Sequence, residues 1–242
     1  MSASSFPGGT SLSHLDIYGD AAPDGVCGGS PHMHLVSTEA YVVVSGTGAL
    51  HTIDGEGFHE TPLSAGSVVW FTPGTLHRAV NDDELKVVVL MSNAGLPEAG
   101  DAVMTFPADI VTDAAAYAQA ASLGEPEGRA ERASRRRDLA VAGFEVLRDA
   151  VLAGDPSPLE AFRAAAGALV RDRAAAWSDL IRERPLAQAE RSLALAQAVA
   201  DGDVAHLGEA RVQQAAASTG ERGFGMCGRL RTYDVTDQEN QK

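Results

Sequence analysis

His32 and His34 are separated by one residue, Glu39 follows shortly, and His77 comes much later in the chain. Neutral imidazoles and a carboxylate are the side chains that hold a divalent transition metal. Residues two apart on an extended strand point to the same face, so His32 and His34 can aim both rings at one point. If Glu39 begins the next strand, its carboxylate faces the same interior. Tyr41 and Val43 share its parity and would line the cavity. His77 arrives from a later strand after the turn Thr72-Pro73-Gly74-Thr75. Three imidazoles and one carboxylate suit one ion of Fe, Mn, Ni, Co, Cu or Zn per chain and leave room for water or a substrate. Tyr41 is the candidate proton donor, although a barrel-lining aromatic also serves as packing. Val43, Phe71 and Ala79 are the candidate pocket lining.

These residues sit among short apolar runs rich in Val and aromatic residues, punctuated by Gly, Pro, Asn and Asp, which read as strands. The predicted strands are Leu12–Tyr18, His32–Leu35, Ala40–Ser45, Ala49–Thr52, Gly57–Glu60, Ser67–Phe71, His77–Val80 and Leu85–Met91. Turns are predicted at Ser45-Gly46-Thr47-Gly48 and Asp54-Gly55-Glu56-Gly57. No stretch among them is long enough for a crossover helix, so the sheet is expected to be antiparallel and closed, as in a jelly roll. Beyond Pro107 the periodicity changes to about 3.6. Thr112 or Asp113 caps a short helix reaching Ser122. Arg129–Ala153 places Leu139, Ala142, Val146 and Val151 near one face. Ser157, Pro158 and Glu160 form an N-cap, first-turn proline and capping box for a helix running to about Arg184. Pro185 opens another helix, and a last one ends near Ser218. The expected division is a mainly β unit over residues 1–108 and an all-α region of four to five helices over 109–242. The tail GFGMCGRLRTYDV could return to the barrel as a strand, although its glycines weaken that reading.

The stretch GGSPHMHLVSTEAYVVVSGTG resembles the first cupin motif, G(X)5HXH(X)3–4E(X)6G, with four residues between His34 and Glu39 and six between Glu39 and Gly46. GSVVWFTPGTLHRAVN resembles the second, G(X)5PXG(X)2H(X)3N, through Gly66, Gly74, His77 and Asn81. Val26 replaces the leading Gly of the first motif, and Thr72 the Pro of the second, with Pro73 one place later. Both are turn positions, so the departures bear on loop shape and not on ligands. The resemblance covers roughly residues 12–92. It implies a jelly-roll barrel, a metal held by His32, His34, Glu39 and His77, and a homodimer. It leaves the reaction open, because cupins include dioxygenases, decarboxylases, isomerases, epimerases and non-catalytic binders.

Charge and composition narrow the partners. A formal net charge of −14 and a pI near 4.8 oppose nucleic acid or anionic membrane as a partner, since both need a basic surface. No apolar run approaches a membrane span. Cys27 and Cys227 are too few for a disulfide framework, and the N-terminal MSASSFPGGT has neither a charged nor an apolar leader segment, so a cytoplasmic location is expected. Cys27 lies close enough to His32 to be redox-active, but a buried inert thiol is the plainer reading. Arg135-Arg136-Arg137 could bind an anion, but beside Glu131 and Asp138 it reads as a solvated helix face. His14, His51, His59 and His206 have no partner pattern.

Residues 1–110 carry 13 acidic side chains against only Arg78 and Lys86. Strand alternation turns Arg78 away from His77 and the cavity. Phosphate therefore finds little cationic binding unless Arg229 or Arg231 folds back. A small neutral or weakly acidic, oxygen-rich substrate is expected. The first functional expectation is a dioxygenase or related oxidoreductase; the alternatives are a metal-dependent isomerase, epimerase or lyase, and a non-catalytic ligand-binding module.

Overall fold

The structure, a computed structural model, describes residues 6–235; residues 1–5, half of the N-terminal stretch MSASSFPGGT, and residues 236–242, the end of the expected helical region, lie outside the described residues. Among the described residues nine strands are formed: β1 (Ser11–Ile17), β2 (His32–His34), β3 (Glu39–Ile53), β4 (Phe58–Ser64), β5 (Val68–Phe71), β6 (Leu76–Met91), β7 (Ala102–Met104), β8 (Gly223–Phe224) and β9 (Gly228–Thr232). They join one antiparallel sheet in the order β4-β3-β6-β1-β9-β8, with β2 bridging β6 and β7, and β5 pairing β3. A mainly β N-terminal half and a helical C-terminal half are thus both present.

The turn expected at Ser45–Gly48 is instead a bulge within the single long strand β3. The register against β6 shifts three times between Val43 and Gly48. Gly46 has φ +78°, and a Cβ there would lie 2.3 Å from the Asp83 carbonyl oxygen, so glycine lets the strand bend without reversing. The bulge also switches parity. Glu39, Tyr41 and Val43 are buried before it, Gly48, Leu50 and Thr52 after it. The two strands expected at His77–Val80 and Leu85–Met91 likewise merge into β6. There the Asn81 side chain donates to the Ile17 carbonyl and accepts from the Leu85 amide, bridging the irregular stretch.

Six helices follow: α1 (Ala108–Val111), α2 (Ala114–Ala121), α3 (Arg129–Leu152), α4 (Ser157–Ala174), α5 (Trp177–Ile181) and α6 (Ala187–Ala200). Asp113 caps α2, accepting from the Ala115 and Ala116 amides. The expected Ser157 cap is not formed: Pro156 occupies the cap position, and Asp155 accepts from the Ser157 amide. The helix expected to reach Arg184 stops at Ala174, and Pro185 falls inside a π-helical turn between α5 and α6, where its missing amide is tolerated. The helix expected to end near Ser218 is only a 3-10 turn, Ala205–Glu209, followed by exposed chain, since these residues find no surface to pack on.

The apolar face read for α3 is also corrected. Ala142 and Val146 are exposed, and the buried side comprises Ala133, Arg136, Arg137, Ala140, Val141, Gly143, Phe144 and Leu147. The two arginines point inward to backbone carbonyls of the tail and of the loop after β1. Arg136 donates to Gly225, and Arg137 to Asp20 and Ala21. They are not a solvated cluster. Phe144, Phe162 and Trp177 share a core with Met33, Ile53, Leu76, Leu96 and Val103 of the barrel side. Gly143 permits this approach: a Cβ there would sit 1.9 Å from the Thr105 carbonyl oxygen.

Gly143→Ala should therefore cost roughly 1–3 kcal/mol through overpacking. Gly167→Ala in α4, where a Cβ meets open space, should stabilise by about 0.5–1 kcal/mol. Urea unfolding of the two variants checks both signs.

Candidate metal centre

β2, β3 and β6 bring the four residues together. In the register, His32 lies directly opposite His77, and Glu39 opens β3. Their ligand atoms all lie within 4.8 Å of one another and all four residues are buried, an arrangement that could hold a metal ion.

Each imidazole is fixed by its other nitrogen. His32 Nδ1 donates to the Ser30 carbonyl at 2.9 Å, His77 Nδ1 to the Thr75 carbonyl at 3.2 Å, and His34 Nδ1 to Asp101 Oδ1 at 2.9 Å. A carbonyl only accepts, so Nδ1 carries the proton in His32 and His77, and the Nε2 lone pairs turn inward. Glu39 Oε2 lies 3.2 Å from both His34 Nε2 and His77 Nε2, yet Glu39 Oε2 and His77 Nε2 are buried without a hydrogen bond. Lone pairs converging in a buried space repel one another unless a positive charge joins them. That orphaned pair of atoms is what a bound cation satisfies, so the residues fit a divalent ion.

Charge in the metal-free cluster follows the same geometry. Burial, followed by the neighbouring His77 and His34, keeps His32 neutral, well below its ordinary pKa. Burial also pulls His34 down, but the hydrogen bond to Asp101 and the adjacent Glu39 carboxylate outweigh it and lift its pKa to about 9. Burial pushes Glu39 up; His77 and His34 overcome this and hold it ionised far below the usual carboxylate range. A proton on His34 thus stands in for the cation.

Asp101 is the functional residue sequence reading missed. It is fully buried, binds His34 with one oxygen, and accepts the Ser37 amide with the other at 2.9 Å. A carboxylate behind a metal-facing histidine fixes its tautomer and strengthens its basicity. The only trace in sequence is a lone acid ending a loop, which carries no spacing signal.

Tyr41 is fully buried beneath the cluster, its hydroxyl 3.7 Å from the Cys227 sulfur. Burial, Cys227 and Glu39 keep the phenol protonated, and burial raises the Cys227 thiol to about 12. The cysteine beside the site is therefore Cys227, delivered by the tail, and not Cys27. A cavity of about 160 Å³ opens onto His32, His34 and Glu39. Val43, Phe71 and Ala79 do not line it; they pack in the barrel core, with the Phe71 ring centroid 4.2 Å from that of His77 and tilted by 39°. Arg78 is buried, paired with Asp24 and the Val26 carbonyl, and away from the cavity.

Residues 21–93 match the family model described as Cupin domain. No curated protein matches the chain. Among solved structures, a conserved protein with a double-stranded β-helix domain from Klebsiella pneumoniae is 24% identical, TM-score 0.26, over 34% of this chain and 64% of that one. A cupin protein from Bacteroides fragilis is 25% identical, TM-score 0.26, over 36% and 65%. A TDP-fucose-3,4-ketoisomerase from Campylobacter jejuni is 12% identical, TM-score 0.29, over 34% and 58%. The chain thus spans less than two thirds of each of these proteins.

Protein purified without added metal should carry about one transition-metal ion per chain by elemental analysis, and His77→Ala should lose most of it. Asp101→Asn should weaken metal affinity by roughly 10–100-fold while leaving the fold intact. In metal-free protein the His34 contribution is fully present below pH 6.5 and lost as pH rises through about 9, on the order of 3 kcal/mol. Thermal unfolding against pH should show this alkaline loss, and metal loading should remove it, because the ion replaces the proton.

Proposed function

We propose that this chain, whose barrel belongs to the cupin superfamily, is a metal-dependent oxidoreductase of the dioxygenase kind acting on a small molecule in the cytoplasm. The observation that carries the reading is the three-histidine, one-carboxylate cluster, of which His32, His34 and Glu39 face a cavity with few other acid-base groups among the described residues of its wall. Isomerisation or epimerisation needs a group poised to take a proton from carbon and return it. Besides the cluster itself, the ionisable side chains on the cavity wall are exposed Glu98, Tyr233 and the thiol Cys227. Tyr41, the expected proton donor, lies behind the wall. A chain so equipped favours chemistry in which O2 supplies the reactivity.

His32, His34, Glu39 and His77 would hold a redox-active divalent ion, which would supply Lewis acidity and relay electrons from the substrate to O2. The protein's own part is to orient the reactants. Ser30, Thr75 and Asp101 lock the imidazole rings, and Phe71 packs on His77. Tyr41 and Cys227, both protonated, place neutral dipoles against Glu39 without competing for its charge.

The test is oxygen uptake by iron-loaded protein offered small enediols, catechols and hydroxyketones. The expected result is O2 consumed in step with substrate, lost in His77→Ala. Turnover of any of these substrates with no O2 consumed would favour the isomerase or lyase reading instead.

A further inference from the structure

We infer that the cavity selects a ligand whose only charged or oxygen-rich part is the head that reaches the metal cluster, the rest of it being uncharged and apolar. This rests on the metal reading above and names the substrate class for that site.

Three neighbouring strands, β9, β1 and β6, build the wall facing the cluster. Leu15, Val89, Met91 and Leu230 come from the strands, and Met226 from the segment before β9. Ser11, Ser13 and Thr232 supply uncharged hydroxyls. Among the described residues, no lysine or arginine lines the cavity. The basic residues of β9 alternate with Leu230 and Thr232 and are engaged elsewhere: Arg229 stacks over Phe224 at 4.2 Å and donates to the Arg222 carbonyl, and Arg231 reaches the Gly220 carbonyl. Arg222 pairs with Asp16. Arg136 lies behind the wall, bound to the Gly225 carbonyl. Among the described residues, the one fixed charge on the wall outside the cluster is Glu98, an acid.

The wall is held in advance of any ligand. Tyr18 Oη and Arg136 both donate to the Gly225 carbonyl, at 2.9 and 2.7 Å, the Ser30 amide donates to Met226 at 2.8 Å, and the Tyr18 amide to Cys227 at 3.2 Å. A carboxylate or phosphate placed against these side chains would lose its hydration with no cation in return. A metal bound by one carboxylate keeps a formal +1, enough to balance one anionic head and no more. A cavity of about 160 Å³ matches a ligand of roughly six to ten non-hydrogen atoms, by comparison with cavities that hold benzene.

The experiment uses full-length protein loaded with Co(II), whose visible absorption reports ligands entering the coordination shell. Acetohydroxamate, pentanohydroxamate and succinate monohydroxamate share one chelating head and differ in the tail. Pentanohydroxamate should bind at least tenfold tighter than acetohydroxamate and at least tenfold tighter than the carboxylate-tailed probe. Leu230→Arg should narrow or reverse the second preference. Cobalt bound in wild-type protein with equal or tighter binding of succinate monohydroxamate overturns the inference alone. Failure to bind cobalt removes the metal reading and the inference together.

Discussion

The interaction on which the molecule turns is a repulsion. Three imidazole nitrogens and a carboxylate oxygen are pressed into a few ångströms of buried space, and every ring is pinned by its far nitrogen so that none can turn aside. Such a cluster persists only with a positive charge at its centre or a proton shared within it. The barrel's strand order can be understood as the means of imposing that closeness. β2 is only three residues long, but it is paired on both sides, to β6 and β7, and so presents His32 and His34 without freedom to move.

The helices serve the same end from outside. The loop running from Ser92 to Asp101 carries the carboxylate behind His34, and helical residues secure it: Trp177 Nε1 donates to the Ala99 carbonyl, Arg184 binds the Ala94 carbonyl, and Leu96 is buried in the shared core. α3 secures the tail through Arg136 and the Asp20–Ala21 loop through Arg137. The helical region therefore holds two surroundings of the site, though it contributes no atom to the cluster. Both buried arginines are satisfied mainly by backbone carbonyls, which ties them to a fold and not to a ligand.

Legibility in the sequence followed the range of the interaction. His32, His34, Glu39 and His77 were readable because strand parity and motif spacing are local rules. The barrel and the helical half were readable from the switch in periodicity. Asp101 was not, because its role depends on where a loop lands, and no local pattern encodes that. The inward face of α3 was misread for a related reason: Arg136 and Arg137 look like solvent residues until the carbonyls awaiting them are known. The merging of β3 across Ser45–Gly48 was missed because a glycine at positive φ suits a turn and a bulge equally, and only the partner strand decides.

The pairing of β1 with β9 joins Ser13 to Thr232, almost the whole described chain apart in sequence. All four cluster residues are made within the first third of the chain, whereas Met226, Cys227 and Leu230 leave the ribosome near the end. A nascent chain can thus assemble the cluster while one wall of its cavity is still missing. Long-range pairing of this kind closes slowly. Met226, Cys227 and Leu230 are thus the last part of the cavity wall to be synthesised, after all four ligands.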